Sequence, residues 1–470
     1  MVAAHVSPYG GTWYPLQQRR LNVLFDELFE GSCCRTGPCV LRGALAGLVP
    51  HAAPRYSGTV AAAVYRHVQA VKPERVFILG FNHAGGSRDV SVPNVERYRT
   101  PLGEIAVDTS CTRALSAVPF QLVPESETCD HSVEIQLPFL QRVAPTVRVV
   151  PLCVGQLGET QRTAAAEVLA RVWRPGDFIL ASSDLTHYGT RFGCVPFPVD
   201  SQVARRLREL DRAVLDGASS IDCGLFLDTL RKSAATPCGL QPLLLLLRTL
   251  SLMDSDTIFQ QELDYQTSGE ISGDFSESVS YAAACYFRKN SFEVNAAEQH
   301  ELLVSAQATL ERLRQTGQRE VVSLRSIPAF ERCAPIFMTL TYQGHVIGCI
   351  GHVFRYMPLA EAVPRLTMEV ALDDPRRLPD DRIPPNINIE ISLLTPMKLV
   401  RSADAVRIGR NGVYLEWGAH RSLLLPQVAG ADWTTTRFLD LLFQKAGLRR
   451  QLHDDPQRRL YIFEAQVFRS

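Results

Sequence analysis

The chain has 470 residues, 46% of them hydrophobic, with Lys+Arg and Asp+Glu both at 49. The length predicts two or three domains with sizeable cores, and zero net charge argues against a general nucleic-acid or anionic-membrane binder, since both need a basic excess. Met1–Val–Ala–Ala carries no basic region followed by an apolar run, and the apolar stretch Leu243 to Leu247 is cut by Arg248, so neither a secretory signal nor a membrane span is expected and the chain reads as cytoplasmic.

In chain order, Pro8–Tyr–Gly–Gly–Thr–Trp–Tyr–Pro15 reads as a turn feeding a helix, with Leu21, Leu24, Phe25 and Leu28 at helical spacing. A strand over Ala44–Val49 runs into His51, and a helix with Val60, Val64 and Val68 on its buried face follows. Lys72–Pro73 ends that helix and opens a strand at Val76–Gly80, which leads to His83. Residues 84–129 read as irregular or strand-like. Asp130–His–Ser–Val–Glu–Ile–Gln–Leu–Pro138 starts a helical stretch that Pro138 delays or bends. Val147–Cys153 is another buried strand, then a helix with Ala164, Val168 and Val172, then the strand Phe178–Ser183. Helices are expected over 197–217 and 224–232, and Thr236–Pro–Cys–Gly–Leu–Gln–Pro242 launches a Leu-rich helix. Tyr265 through Asp274 reads as a polar loop, and Val279–Tyr286 as a last strand. Strands alternating with helices imply an α/β unit, a mostly parallel sheet with helices on both faces.

Arg288–Asn295 is polar and reads as a linker, dividing the chain into 1–287, 288–295 and 296–470. Beyond it, Glu298–Arg314 forms an amphipathic helix through Leu302, Leu303, Leu310 and Leu313. Period-two alternation follows in Ile336–Leu340, His345–Ile350, Ile387–Leu394 and Val413–Trp417, with helices around 357–371 and 434–446; this is an α+β pattern.

The polar groups that carry chemistry follow the apolar runs of the first half. His51, His83, Asp184 and His187 all come just past a strand, where open α/β sheets line their ligand crevice. With His131 and Cys238 they form a set of imidazole, thiol and carboxylate donors. Imidazole and thiolate suit zinc, copper and non-haem iron, and suit magnesium or calcium poorly. Cys238 precedes Gly239 at the amino end of the Leu-rich helix, where amide donors and the helix dipole favour thiolate. None of the spacings is a local metal motif, and His67, inside a helix, reads as structural. Cys33, Cys34 and Cys39 have no second pair at zinc-finger spacing.

About residues 5–286 resemble the Memo family. The matching elements are Gly11–Thr–Trp–Tyr14, Pro50–His–Ala–Ala–Pro–Arg–Tyr–Ser–Gly58, Gly80–Phe–Asn–His83, Asp130 through Pro138, Ser182–Ser–Asp–Leu–Thr–His–Tyr–Gly189 and Thr236–Pro–Cys–Gly239. Ala53–Pro54 and Phe81 depart from the common pattern. The family looks like class III extradiol dioxygenases in fold and pocket. The resemblance implies metal ligation by His51, His83 and Cys238, an acid/base role for His187, and Asp184 and His131 in the pocket. The metal would be Fe(II), with copper or zinc as the other choices, and the substrate a small aromatic or phenolic molecule. A cysteine standing where the dioxygenases have a carboxylate ligand argues against ring cleavage as such.

About residues 296–470 resemble the AMMECR1 family through Gly348–Cys–Ile–Gly351, Met357–Val363, Ala371–Arg376, Ile389–Pro396, Leu423–Val428, Trp433 and Lys445–Leu448. Cys349, expected in a tight turn, is a candidate nucleophile with His345 and His352 nearest in sequence. Val346–Ile347 replace the Leu–Arg that the family usually carries. Together the two units look like the A and B components of the AmmeMemoRadiSam system, which implies a separate radical S-adenosylmethionine protein as partner. A redox metalloenzyme is the leading reading, and a non-catalytic, peptide-binding adaptor on a dioxygenase-derived fold is the alternative.

Overall fold

A computed structural model describes residues 4–470 except 84, 86–88, 116–117, 128, 323, 326, 356, 378–382, 450–454 and 456. The chain divides into two compact units, one running to Pro38 and then over Arg42–Arg288, the other comprising Cys39–Leu41 and Lys289–Ser470. No helix among the described residues is long and apolar enough to cross a membrane.

In the first unit five parallel strands stand side by side in the order Gly103–Val107, Arg148–Val154, Arg75–Gly80, Phe178–Ser182 and Ala44–Val49. The Arg75 and Phe178 strands are buried along their whole length, which is why their sequences read as continuous apolar runs rather than alternating ones. Each face is nonetheless filled separately. Leu48, Phe77, Leu79, Leu152 and Ala181 share one core cluster with the helices Glu159–Val172 and Leu240–Leu252. On the other face Gly47 lies against Val64 of the helix Pro54–Val71. That helix meets Gln136–Val143 through Tyr65 and Phe139, whose rings stack at 4.7 Å. The strand Glu277–Arg288 extends the sheet antiparallel to the Ala44 strand.

The register aligns the carboxyl ends. Val49 pairs with Ser182, and Leu79 with Ala181, so the segments leading to His51, His83 and Asp184 leave the sheet at one edge. The helical stretch after Asp130 breaks into His131–Glu134 and Gln136–Val143. Pro138 has no N–H to donate to the Glu134 carbonyl, so the first turn ends there.

One reading needs correction. The polar stretch from Tyr265 is not all loop: Ile258–Thr267 is a ten-residue strand paired with Glu277–Arg288, followed by the short helix Ser268–Ser272. A bulge between Glu262 and Asp264 interrupts the alternation that would have revealed it, and Asp264 is neutralised by Arg35 at 2.7 Å. The segment 288–295, in which one unit gives way to the other, is ordered. Arg288 ends a strand, Lys289–Phe292 forms a turn, Phe292 and Val294 are buried, and Asn295 caps the next helix.

The second unit holds two four-stranded sheets. One runs in the order His345–His352, Ile336–Tyr342, Asn388–Leu394, Ala465–Arg469, and the other Lys398–Val400, Arg459–Phe463, Gly412–Trp417, His420–Leu424. All their pairings are antiparallel. The helices Ala296–Thr316 and Leu359–Asp373 bury Leu302, Leu310, Val363 and Leu366 in the core of the first sheet, and Thr435–Lys445 packs in that of the second.

Candidate metal centre

The edge where the parallel strands end gathers the polar set. Asp184, just past the Phe178 strand, accepts the backbone N–H groups of His51 at 2.9 Å and Ala52 at 3.4 Å, and so ties two loops together. Cys238 arrives from the turn before the Leu240–Leu252 helix. Gly239 makes that approach possible, because a Cβ there would stand 2.4 Å from the Ser182 carbonyl oxygen. The Gly239 N–H donates to Ser183 Oγ at 2.9 Å, which in turn donates to the Asp184 carbonyl.

His51 is buried, with Nε2 3.2 Å from Cys238 Sγ and Nδ1 2.9 Å from Ser182 Oγ. Ser182 Oγ also accepts from Gln136 Nε2, which is held by the Pro50 carbonyl, while Tyr65 donates to Gln136 Oε1. His83 is set by Asp130, whose Oδ2 lies 2.7 Å from both its backbone N and its Nδ1. A carboxylate accepts, so His83 Nδ1 carries the proton and Nε2 keeps its lone pair. The second Asp130 oxygen caps the His131 turn through Ser132 N at 2.9 Å. The ligand atoms offered by His51, His83 and Cys238 lie within 4.8 Å of one another. Among the described residues two further trios meet the same limit: His83, Asp130 and His131; and Asp184, His187 and Cys238.

His187 Nδ1 lies 3.0 Å from the Leu185 carbonyl, an acceptor only, which puts the proton on Nδ1 and leaves Nε2 as a base. Thr236 Oγ1 accepts its backbone N–H. His131 stacks on His83 with ring centroids 4.2 Å apart. Trp13 stands 4.5 Å from the other neighbour of this column, the His131 ring, and Tyr9 at 6.1 Å. Trp13, Tyr9, Ser182 and Gln136 are the site residues that sequence reasoning missed. The Trp13 signal was present in Gly11–Thr–Trp–Tyr14, a polar turn rich in aromatics with no apolar face of its own to bury.

The electrostatics follow from this packing. Burial works against the Asp130 carboxylate, but the His83 side chain and amide and the Ser132 amide outweigh it and hold its pKa down. Burial pushes His51 well below the usual imidazole range, helped by the charges of His131 and His83. Burial is also the largest cause of a His131 value of about 4, with Asp130 opposing and His83 adding. Asp184 is raised by burial, against the His51 amide. In the metal-free chain, burial and then the Asp184 charge push the Cys238 thiol up, and the Asp184 backbone, the Ser183 hydroxyl and the Gly239 amide work against them.

Cys349 differs from the sequence reading. It sits within the His345–His352 strand, opposite Thr339, not in a tight turn. Its Sγ accepts from Thr339 Oγ1 at 3.2 Å, its N–H donates to Asp374, and Arg376 donates to its carbonyl. His352 is three residues along and projects from the opposite face, and His345 lies roughly 13 Å back along the strand. The glycine before it serves close packing, since a Cβ on Gly348 would stand 2.7 Å from Val370.

Residues 7–285 match the family model described as Memo-like protein. The chain belongs to the Memo family. Residues 303–468 match the AMMECR1 model, so the protein joins a Memo unit to an AMMECR1 unit. The Memo unit is 29% identical over 289 residues to the memo-1 homolog of Caenorhabditis elegans, covering 59% of this chain and 81% of that one. It is 32% identical over 280 residues to a MEMO1 family protein of Methanosarcina barkeri, covering 58% and 96%. Among solved structures, an uncharacterised protein from Pyrococcus horikoshii overlays with a TM-score of 0.34 and 29% identity, covering 37% of this chain and 92% of that one. An uncharacterised Escherichia coli protein overlays at 0.33 and 15% identity, covering 52% and 99%.

Proposed function

We propose that the Memo unit is a metal-dependent oxidoreductase that binds Fe(II), with copper or zinc as competing ions, through His51, His83 and Cys238. The observation that carries this reading is the convergence of two imidazoles and a thiol, each held from behind: His83 by Asp130, His51 by Ser182, and Cys238 by its Gly239 turn. Such outer partners fix the ring tautomers and raise ligand basicity. The mixed N,N,S donor set fits iron, copper or zinc and disfavours magnesium and calcium.

When bound, iron or copper would supply one-electron chemistry that no side chain here possesses. The chain's own residues supply the rest. His187, with Nε2 free, takes a proton from a substrate hydroxyl. Asp184 fixes the backbone from which His51 projects. Trp13, Tyr9 and His131 form an aromatic wall suited to a small aromatic or phenolic molecule. The fused AMMECR1 unit and a separate radical S-adenosylmethionine protein are the proposed partners in an AmmeMemoRadiSam system. Covalent joining holds the two units at high effective concentration.

Elemental analysis of protein purified without chelator tests this, coupled to O2-uptake assays over a panel of phenols. About one equivalent of iron, copper or zinc, lost in His51→Ala and Cys238→Ala, is expected. A chain that carries no transition metal, and whose variants bind their protein partner unchanged, would establish the adaptor reading instead.

A further inference from the structure

At the opposite edge of the same sheet, the Arg75, Arg148 and Phe178 strands begin around a cavity of about 610 Å³. The five-residue Phe178–Ser182 strand, roughly 17 Å at ~3.3 Å per residue, separates this cavity from the metal cluster. In a chain of zero net charge, its lining carries Lys72, Arg75, Arg148, Arg171 and Arg174. Among the described residues, Glu74 and two aspartates are the acids that line it.

Both aspartates are already engaged. Asp177 holds Arg75 by two hydrogen bonds, at 3.2 and 2.5 Å. Asp108 faces Arg75 at 3.9 Å and Arg148 at 3.5 Å. Lys72, Arg171 and Arg174 make no side-chain hydrogen bond or ion pair among the described residues. Lys72 and Arg171 stand at helix carboxyl ends, where a cation is favourable without any ligand. Arg174 has no such explanation. It rides on a turn closed by its own N–H to Asp177 at 2.8 Å and by Asp177 N–H to its carbonyl at 2.9 Å. Arg75 fastens that turn to the helix before it through the Val172 carbonyl. Paired charges thus build the floor, and among the described residues three unpaired cations, Lys72, Arg171 and Arg174, outnumber the one unpaired carboxylate, Glu74, around it. A concave wall focuses their field and attracts a counter-charge.

We propose that this cavity binds a phosphorylated small molecule bearing at least two negative charges. Guanidinium forks match phosphoryl oxygens, and the volume falls within the range of small-molecule sites. The ligand's negative charge replaces the missing acids, so binding weakens with salt.

Isothermal titration of the full chain with inorganic pyrophosphate and, separately, with ADP tests the proposal. Saturable binding of one molecule per chain with Kd below about 1 mM is expected, weakened at least about tenfold in the Arg171→Ala/Arg174→Ala double variant. Equal affinity for both probes assigns recognition to the phosphoryl groups, and tighter ADP binding adds the nucleoside. The two arginines are exposed and unpartnered, so the double variant should keep the wild-type Tm and metal content; Arg174→Glu provides an independent second variant. Absence of saturable binding of either probe, binding unaltered by both variants, or capture only of RNA or a phosphopeptide would overturn it. None of these outcomes depends on the metal-centre reading, because the cavity shares no residue with it.

Discussion

Cys238 and Cys349 are both cysteines beside a glycine, one in each unit, and they end in opposite chemical company. Cys238 lies on a loop at the carboxyl edge of a parallel sheet, where neighbouring strands deliver side chains into one crevice, and His51 Nε2 is 3.2 Å away. Cys349 lies within an antiparallel strand, where neighbours are set by cross-strand register, and its sulfur meets a threonine hydroxyl. The strand end here collects side chains from far along the chain, whereas within the strand the Cys349 sulfur meets its cross-strand neighbour. The chemistry of a cysteine therefore depends more on that position than on the motif around it.

The largest expected effect separates the two sulfurs directly. Cys238→Ala and His51→Ala should reduce bound transition metal from about one equivalent to near zero, while Cys349→Ala leaves it unchanged, as read by elemental analysis. Next, Gly239→Ala forces a Cβ to 2.4 Å from the Ser182 carbonyl oxygen and displaces the Cys238 turn. A stability loss of roughly 2–3 kcal/mol in denaturant unfolding is expected, together with loss of metal. Gly348→Ala should cost stability by the same crowding but spare the metal, which makes the pair a control for general unfolding.

A smaller effect is pH-dependent. In metal-free protein His131 titrates at about 4, below its ordinary 6.5. The unfolded chain therefore takes up its proton first. The stability tied to neutral His131 is complete above about pH 6.5 and is lost as pH falls towards 4, amounting to roughly 2–3 kcal/mol. Unfolding curves of His131→Asn should be flatter across that window. Smallest of all, Cys349→Ser keeps a partner for Thr339 and should change stability by less than ~1 kcal/mol.

The carboxyl edge was legible because its strands are buried on both faces. Continuous apolar runs ending at His51, His83 and Asp184 announce a parallel sheet and its crevice in one pattern. What supports those residues was not legible. Gln136 and Ser182 matter only because a helix from one part of the chain packs over a strand from another, and no local spacing encodes that. The Ile258–Thr267 strand was hidden by its bulge, and the partner of Asp264 within it, Arg35, is 229 positions away. At Cys349 the two glycines suggested a turn, yet Gly348 serves the approach of the Leu359–Asp373 helix.

X-ray absorption on the metal-loaded full chain addresses the centre most directly. One sulfur scatterer at about 2.3 Å with imidazole nitrogens at about 2.0–2.1 Å is the expected shell for zinc, and Cys238→Ala should remove the sulfur. A first shell of nitrogen and oxygen alone, identical in wild type and Cys238→Ala, would contradict the assignment.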